Sequence, residues 1–374
     1  MTRASTSTLP LFDAHPWRRH LLHGARDVEA LVARGLVSRA DAPALSAVVE
    51  RYQMLVSDYY LGLIDPDDPD DPIRKQALPD VAELAERFGE RADPIGDRAH
   101  APTALLVHRY PDRALLFPTL RCPMFCRYCF RKVALNEDPV RLRQALDASL
   151  AYLAAHPEVH EVILSGGDPL MLSDARLDEL LGRLRGLGTL RRLRIHTRFP
   201  VTLPMRVDAA LAATLARHRP LFVVVHFNHP RELTPEARAA VTHLVDAGVT
   251  VLNQAVLLAG VNDAVDTLAA LFCGLLDWQV RPYYLHHPDL TVGTQHFRVS
   301  LDRGLALTRA LRGRITGLAW PTYVLDIPGG GGKVPVDSDF VRPAGAPGAW
   351  ILRSPLGGEV SYLDPAVHGG PACG

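Results

Sequence analysis

Residues 159–184 read VHEVILSGGDPLMLSDARLDELLGRL, and this segment decides the fold class. A short apolar run ends at Ser165, a glycine turn follows, and the leucines beyond the turn recur at helical spacing. Similar strand-then-helix units repeat along the chain. The predicted strands cover residues 114–120, 159–165, 193–197, 221–226, 250–255 and 281–285. Apolar strands that alternate with helices predict parallel strands buried on both faces.

Six such units predict an α/β fold, specifically a partial (β/α)6 barrel of the TIM type, because a closed barrel needs eight units. A doubly wound sheet fits the same periodicity and remains an alternative. We expect an N-terminal helical extension over 1–100, the barrel over 101–315, and a C-terminal strand and loop segment over 316–374. The acidic, proline-rich stretch 65–72 is expected to be a stiff, solvated linker. In either fold, reactive side chains gather at the C-terminal ends of the strands.

The composition is that of an ordinary globular protein, with 48% hydrophobic and 22% charged residues in 374, which excludes wholesale disorder. Lys+Arg 41 balance Asp+Glu 41, so the charge argues against a nucleic-acid-coating protein. No apolar run approaches the ~20 residues of a membrane span. The first residues also lack the apolar stretch of a signal peptide. We therefore expect a cytoplasmic protein that acts on a small molecule.

Three of the five cysteines lie close together, as Cys122, Cys126 and Cys129, while Cys273 and Cys373 are isolated. Structural zinc normally takes four protein ligands, so this trio is a poor zinc site. Three thiolates suit a four-iron cluster instead, because the fourth iron stays open for a small molecule. A zinc site or a cluster of buried thiols remains the alternative. The spacing indicates an iron–sulfur centre.

A second motif, Asp326-Ile327-Pro328 followed by four glycines and Lys333, comes after an apolar run. A phosphate-binding P-loop would need glycine at 327 and Ser or Thr at 334, and the chain has Ile327 and Val334. The other interpretation is a lysine on a pliable glycine arm, able to carry pyridoxal phosphate and to swing aside. An ordinary surface lysine is the simplest alternative.

Together these motifs resemble the lysine 2,3-aminomutase family of the radical S-adenosylmethionine superfamily, over residues 108–336. The resemblance implies a [4Fe-4S] cluster, S-adenosylmethionine and pyridoxal 5′-phosphate, and an isomerase that moves the amino group of lysine from carbon 2 to carbon 3. It also implies a one-electron reductase, such as flavodoxin or ferredoxin, as a partner. A non-catalytic iron–sulfur protein and a radical enzyme without pyridoxal phosphate remain alternatives from other classes.

The resemblance assigns further residues to each ligand. It places the following near S-adenosylmethionine: Tyr128, Ser165, Gly166, Gly167, Asp168, His226 and Gln254. It places the following around pyridoxal phosphate, with Lys333 as the covalent and catalytic residue: Arg109, Tyr110, Arg113 and Tyr283. Planar guanidinium groups suit a phosphate dianion. Without the resemblance, most of these side chains would be taken as structural groups at strand ends.

The substrate is inferred from three further residues that the resemblance assigns to it. Arg131 would pair with the α-carboxylate, and Asp289 and Asp326 would hold the distal ammonium of lysine. Two carboxylates in one pocket repel each other unless a cation lies between them, which argues against glutamate as the substrate. Arginine and ornithine also carry a distal cation, so they stay open as substrates.

The sequence departs from the longer, clostridial members of the family. Their C-terminal cysteine cluster binds zinc between subunits, whereas this chain has only Cys373 in its tail and Ala264 at the partner position. We expect no such zinc site and leave homo-oligomerisation open. The shorter form resembles the branch that modifies elongation factor P. The uninterrupted run of four glycines before Lys333 favours the enzyme that acts on free lysine. His286 and His287 are expected to shape the pocket.

Overall fold

The computed structural model describes residues 17–85, 89–133, 142–336, 341–346, 349–353 and 358–363. Within these ranges the α-helices are α1 Trp17–Leu22, α2 Val28–Ala33, α3 Ala42–Arg51, α4 Asp58–Leu61, α5 Pro72–Ala77, α6 Leu142–Ala155, α7 Asp174–Gly186, α8 Phe199–Thr202, α9 Ala209–Ala216, α10 Pro235–Asp246, α11 Val265–Asp277 and α12 Leu301–Leu311. The strands are β1 Leu106–Tyr110, β2 Arg113–Thr119, β3 Glu161–Gly166, β4 Arg192–Thr197, β5 Leu221–Val225, β6 Thr250–Val256, β7 Arg281–His286, β8 Thr322–Asp326, β9 Lys333–Pro335, β10 Val341–Pro343, β11 Ala349–Arg353 and β12 Glu359–Leu363.

One sheet of nine strands organises the molecule, and its strands follow one another in chain order from β1 to β9. Strands β2 to β8 are parallel, and β1 and β9 pair antiparallel at the two edges. A doubly wound sheet would reverse its order at a switch point, so the sequential order excludes that alternative. The α/β partial barrel is therefore confirmed. A separate antiparallel sheet contains β10 to β12.

All six predicted strands are present, and the sheet also contains a seventh parallel strand, β8. Apolar side chains on both faces bury the parallel strands, as Val223 and Val225 in β5 show by being fully buried. The predicted helices cover them; for example, Thr234 accepts a hydrogen bond from the backbone N–H of Ala237 and caps α10. The site residues therefore have a rigid support.

The N-terminal extension packs on the barrel and shares its core. One hydrophobic cluster contains Trp17 and Ile73 from the extension together with residues of every parallel strand from β2 to β8. The five helices α1 to α5 of this extension are all short, with ten residues at most. No helix in the described ranges is long and apolar enough to cross a membrane.

The acidic stretch 65–72 is only partly the solvated linker that its composition suggests. Asp65 and Asp70 are exposed, but Asp71 is fully buried and accepts hydrogen bonds from the backbone N–H groups of Asp65 and Ile73. Its carboxylate also pairs with Arg231 at 2.6 Å. The prediction was wrong for Asp71 because capping a helix and meeting a distant arginine outweigh its preference for water.

Candidate active site

The sheet brings the predicted residues to one edge. The three cysteines follow β2, Gly166 and Gly167 follow Ser165 at the end of β3, His226 follows β5, and Asp326 ends β8. This is the edge where parallel α/β folds hold their ligands. Lys333 lies in β9, directly opposite Asp326 in the antiparallel register.

Backbone hydrogen bonds from the N-terminal extension hold the cysteine loop in place. The backbone N–H of Phe125 donates to the carbonyl of Leu55 at 2.8 Å, and that of Arg127 donates to the carbonyl of Gln76 at 3.0 Å. Burial is the main cause that raises the pKa of Cys129 to about 11, with repulsion from Cys126 adding to it. Burial thus disfavours the thiolate form of Cys129, and a bound metal would have to ionise it.

Glu83 anchors the same loop through two buried cations. Its carboxylate pairs with the guanidinium of Arg127 and, at 2.7 Å, with the ammonium of Lys132. Burial alone would raise the pKa of Glu83, but the two cations outweigh it and lower that pKa below its usual value. The trio fixes both ends of the segment that contains Cys129.

The Glu83→Gln variant is expected to lose about 3 kcal/mol of unfolding free energy, because it leaves two buried cations without a counter-charge. Urea unfolding would measure this loss. Glu29→Gln is the matched control, since Glu29 and Arg39 form an exposed pair that is worth less than about 1 kcal/mol. Equal stability of the two variants would show that Glu83 does not anchor the loop.

The loop after β3 packs against the cysteine loop. A Cβ atom on Gly167 would lie 2.4 Å from the carbonyl oxygen of Arg121, so glycine is required there. The carboxylate of Asp168 accepts hydrogen bonds from the Thr197 hydroxyl and from the backbone N–H groups of Leu170 and Arg198. Burial raises the pKa of Asp168 to about 6. Its side chain therefore joins β3 to β4, and its position beside Cys122 is fixed.

Polar side chains around the centre of the barrel are mostly neutral. The side-chain amide of Gln254 lies 3.0 Å from Nε2 of His226, and the ring of His196 meets that of His226 edge to face. Burial lowers the pKa of His226 to about 3 and lowers that of His196 as well. The hydroxyl of Tyr128 accepts a hydrogen bond from Asn228 at 2.7 Å, which fixes the tyrosine against the barrel.

Lys333 lies in a β-hairpin and not on a free arm. The turn between β8 and β9 packs on the N-terminal extension, where the backbone N–H of Gly329 donates to the carbonyl of Pro94 at 2.9 Å. Gly332 has a positive φ of 89° and lets the backbone N–H of Lys333 reach the Tyr110 hydroxyl at 2.8 Å. The pliable arm expected from the sequence is thus a defined turn, because the barrel and the extension hold it on two sides.

The lysine amine lies in a polar pocket. Its Nζ is 2.5 Å from a carboxylate oxygen of Asp326 and 3.2 Å from Nδ1 of His286, and the ring of Tyr284 lies 5.6 Å away. Burial alone would raise the pKa of Asp326, but hydrogen bonding from His286 and the lysine charge lower it to about 2. Asp326 is therefore a carboxylate that holds a cation.

The carboxylate of Asp289 lies near the charged groups of Asp326 and Lys333, but it forms no ion pair within the described part of the chain. Burial, with repulsion from Asp326, raises the pKa of Asp289 to about 7, although Lys333 and Arg131 act in the other direction. An added cation would relieve this repulsion. The two carboxylates thus repel each other, and the ammonium of Lys333 pairs with Asp326.

Asp97, which sequence reasoning missed, joins two of the predicted arginines. Its carboxylate oxygens pair with Arg109 at 3.0 Å and with Arg131 at 2.8 Å. The Nε atom of Arg109 is buried and has no hydrogen-bond partner within the described residues. A buried donor of this kind fits an anionic ligand.

The remaining predicted residues extend this group towards the β1–β2 turn. The guanidinium of Arg113 stacks 3.8 Å from the centre of the Tyr110 ring and pairs with Asp112. The hydroxyl of Tyr283 donates to that of Tyr284 at 2.9 Å, so Tyr283 contacts the ring that borders Lys333. The Nδ1 atom of His287 lies 2.6 Å from the hydroxyl of Tyr323 and so does not line this group.

No group of three or more His, Cys, Asp or Glu among the described residues could hold a single metal ion.

The Asp97→Asn variant is expected to lose about 2 kcal/mol of unfolding free energy, because it leaves two half-buried guanidinium groups without a counter-charge. Added inorganic phosphate should recover part of the loss by binding the exposed donors. Thermal melts with and without phosphate would measure both effects. Asp147→Asn, which removes an exposed pair with Arg183, is the control. No destabilisation would mean that Asp97 does not organise the arginines.

Known proteins resemble this chain over most of its length. The family model described as the radical SAM superfamily matches residues 116–271, and the model described as lysine-2,3-aminomutase matches residues 308–369. An L-lysine 2,3-aminomutase of Clostridium subterminale is 38% identical over 96% of this chain and 86% of its own length. An Escherichia coli L-lysine 2,3-aminomutase is 39% identical over 74% and 81%. A Clostridioides difficile glutamate 2,3-aminomutase is 34% identical over 95% and 84%.

The cysteine loop falls within the first matched segment, and the C-terminal strands β10 to β12 fall within the second. The similarity covers nearly the whole chain and includes both ends of the site. The chain therefore belongs to the lysine 2,3-aminomutase family of radical S-adenosylmethionine isomerases.

Proposed function

We propose that this enzyme uses pyridoxal phosphate and S-adenosylmethionine to interconvert L-lysine and β-lysine. The observation that carries the proposal is that the carboxylates of Asp289 and Asp326 lie near enough to repel each other, with Lys333 paired to Asp326. Two carboxylates at one point favour a ligand with a distal cation. A glutamate side chain would bring a third negative charge to the same point, which argues against the activity named for the Clostridioides difficile relative.

The cysteine loop fits a four-iron cluster by the chemistry of its donors. The guanidinium of Arg198, which can only donate, lies 3.0 Å from the sulfur of Cys126, and this donor would stabilise the charge of a cluster-bound thiolate. Each thiolate of such a cluster would bind a different iron, so the three sulfurs need not meet at one metal ion. With S-adenosylmethionine, the cluster would supply the radical that removes hydrogen from carbon 3.

The polar pocket fits pyridoxal phosphate. Lys333 offers the amine, and the unpartnered Nε of Arg109 offers a buried donor for the phosphate dianion. The guanidinium of Arg113 stacks on the ring of Tyr110, whose hydroxyl accepts the hydrogen bond from the backbone N–H of Lys333. When bound, the cofactor would spread the unpaired electron beside the migrating nitrogen.

The chain's own residues would bind and orient the substrate. Arg131 pairs with an α-carboxylate in place of Asp97, and Asp289 and Asp326 hold the distal ammonium at the other end. Fixing both ends leaves carbons 2 and 3 in one position between them, which lowers the entropic cost of the reaction. The buried histidines His196 and His226 stay neutral and help to exclude water.

An anaerobic assay of the reconstituted protein with lysine, arginine, ornithine and glutamate tests the proposal, with the products identified by mass spectrometry. We expect turnover of lysine to β-lysine with either dithionite or a one-electron reductase such as flavodoxin or ferredoxin. Preferential turnover of arginine or ornithine would support the binding of a distal cation by Asp289 and Asp326 but would contradict lysine as the substrate. Turnover of glutamate alone would overturn the proposal.

A further inference from the structure

Arg198 is a buried arginine to which the proposed reaction assigns no role. It follows β4 directly, and only 6% of its surface is exposed. One terminal nitrogen, Nη1, donates to the sulfur of Cys126 at 3.0 Å. Its Nε lies 3.4 Å from the carbonyl oxygen of His226.

The other terminal nitrogen, Nη2, is held on the opposite side from the sulfur. It donates to Glu232 at 2.6 Å, to the side-chain carbonyl of Gln76 at 2.7 Å and to the hydroxyl of Tyr60 at 3.1 Å. Every nitrogen of the guanidinium group therefore has a protein partner. These contacts hold the guanidinium in place with Nη1 against the sulfur, so its charge acts on Cys126.

Glu232 fixes the direction of this charge pair. It is fully buried and accepts hydrogen bonds from the hydroxyl of Tyr60 and from the backbone N–H groups of Asn228 and His229. The negative charge thus stays on the far side of the guanidinium, and the positive charge faces Cys126. Nearby protein groups weaken this field little, because the whole network is buried.

We propose that Arg198 is a positioning residue that raises the reduction potential of the cluster bound by Cys126. The inference rests on the proposed function, which provides the cluster. Reduction adds one electron from an external one-electron donor and breaks no bond, so the cluster and its sulfurs become more negative. A hydrogen bond to a sulfur stabilises the reduced form more than the oxidised form.

Redox titration of the reconstituted holoenzyme, followed by electron paramagnetic resonance of the reduced cluster, tests this role. In Arg198→Met the ratio of reduced to oxidised cluster at a fixed potential should fall about tenfold, which is ~59 mV for one electron. Arg198→Lys keeps the positive charge, so the ratio of reduced to oxidised cluster should fall by less than in Arg198→Met. This variant tests the inference if Arg198→Met does not fold. Glu232→Gln removes the counter-charge and should raise the ratio.

Arg206→Lys is the matched control, because Arg206 is equally buried but bonds the carbonyl of Leu170 and the carboxylate of Asp174. Its ratio should equal that of the wild type. If the cluster is bound and its reduction potential is unchanged in both Arg198 variants and in Glu232→Gln, the inference about Arg198 is wrong. The proposed function is not affected by that result. The inference would also be wrong if Arg206→Lys shifted the reduction potential of the cluster as much as the Arg198 variants do. A wild-type protein that binds no cluster would overturn the proposed function instead.

Discussion

The Lys333→Ala variant should lose the visible absorbance of enzyme-bound pyridoxal phosphate and at least about 10³-fold of its turnover. The reason is chemical, since alanine has no amine to carry the cofactor or to receive it back from the product. The cluster should remain, because Lys333 contacts Asp326 and His286 and not the cysteine loop. Anaerobic absorbance spectra and product assays measure the two losses.

Lys333→Arg separates the charge of this residue from its amine chemistry. Arginine can keep the ion pair with Asp326, so this variant should be as stable as the wild type while remaining inactive. Reduction of the loaded wild type with borohydride, followed by peptide mapping, should label Lys333. The chain has three lysines in total, and the other two are Lys75 and Lys132. Label on either of these would contradict the assignment.

The Asp289→Asn variant should lower kcat/KM for lysine about 100-fold, because a desolvated partner of the substrate cation loses its charge. In the wild type the raised pKa of Asp289, about 7, means that the carboxylate becomes protonated as the pH falls below 7. Binding of a cation requires the ionised form. The kcat/KM for lysine should therefore fall about tenfold per pH unit below 7, since the lysine ammonium, with a pKa of ~10.4, stays charged throughout.

The comparison of pH profiles isolates this carboxylate. Asp289→Asn should lack the acidic fall in kcat/KM, whereas Asp277→Asn, at the exposed end of α11, should keep the wild-type profile. A profile that is the same in wild type and Asp289→Asn would show that another group titrates, and that Asp289 does not bind the substrate cation.

The strands could be predicted because their signal is local. Leu221–Val225 is apolar throughout, and burial on both faces of a parallel sheet demands that pattern. The site residues could be placed because parallel strands end at one edge, which puts Cys122 and Gly166 together from their positions in the chain alone. Asp289 and Asp326 were identified differently, from the resemblance to the aminomutase family.

The groups that organise the site could not be predicted, because their partners are distant in the sequence. Glu83 meets Arg127 only after the extension folds against the barrel, and Glu232 meets Arg198 only after β4 and β5 pair within the barrel. Asp97 looks like an ordinary loop residue in Asp93-Pro94-Ile95-Gly96-Asp97. Lys333 carries one signal of its own, since it is one of only three lysines in the chain.

An anaerobic crystal structure of the reconstituted enzyme with S-adenosylmethionine and pyridoxal phosphate tests the central claim most directly. The account predicts that the cofactor is joined to Nζ of Lys333 in the cavity into which the open iron of the cluster faces, with Arg109 at the phosphate. A cofactor bound at another lysine, or a cavity at Lys333 separated by protein from the three cysteines, would contradict it.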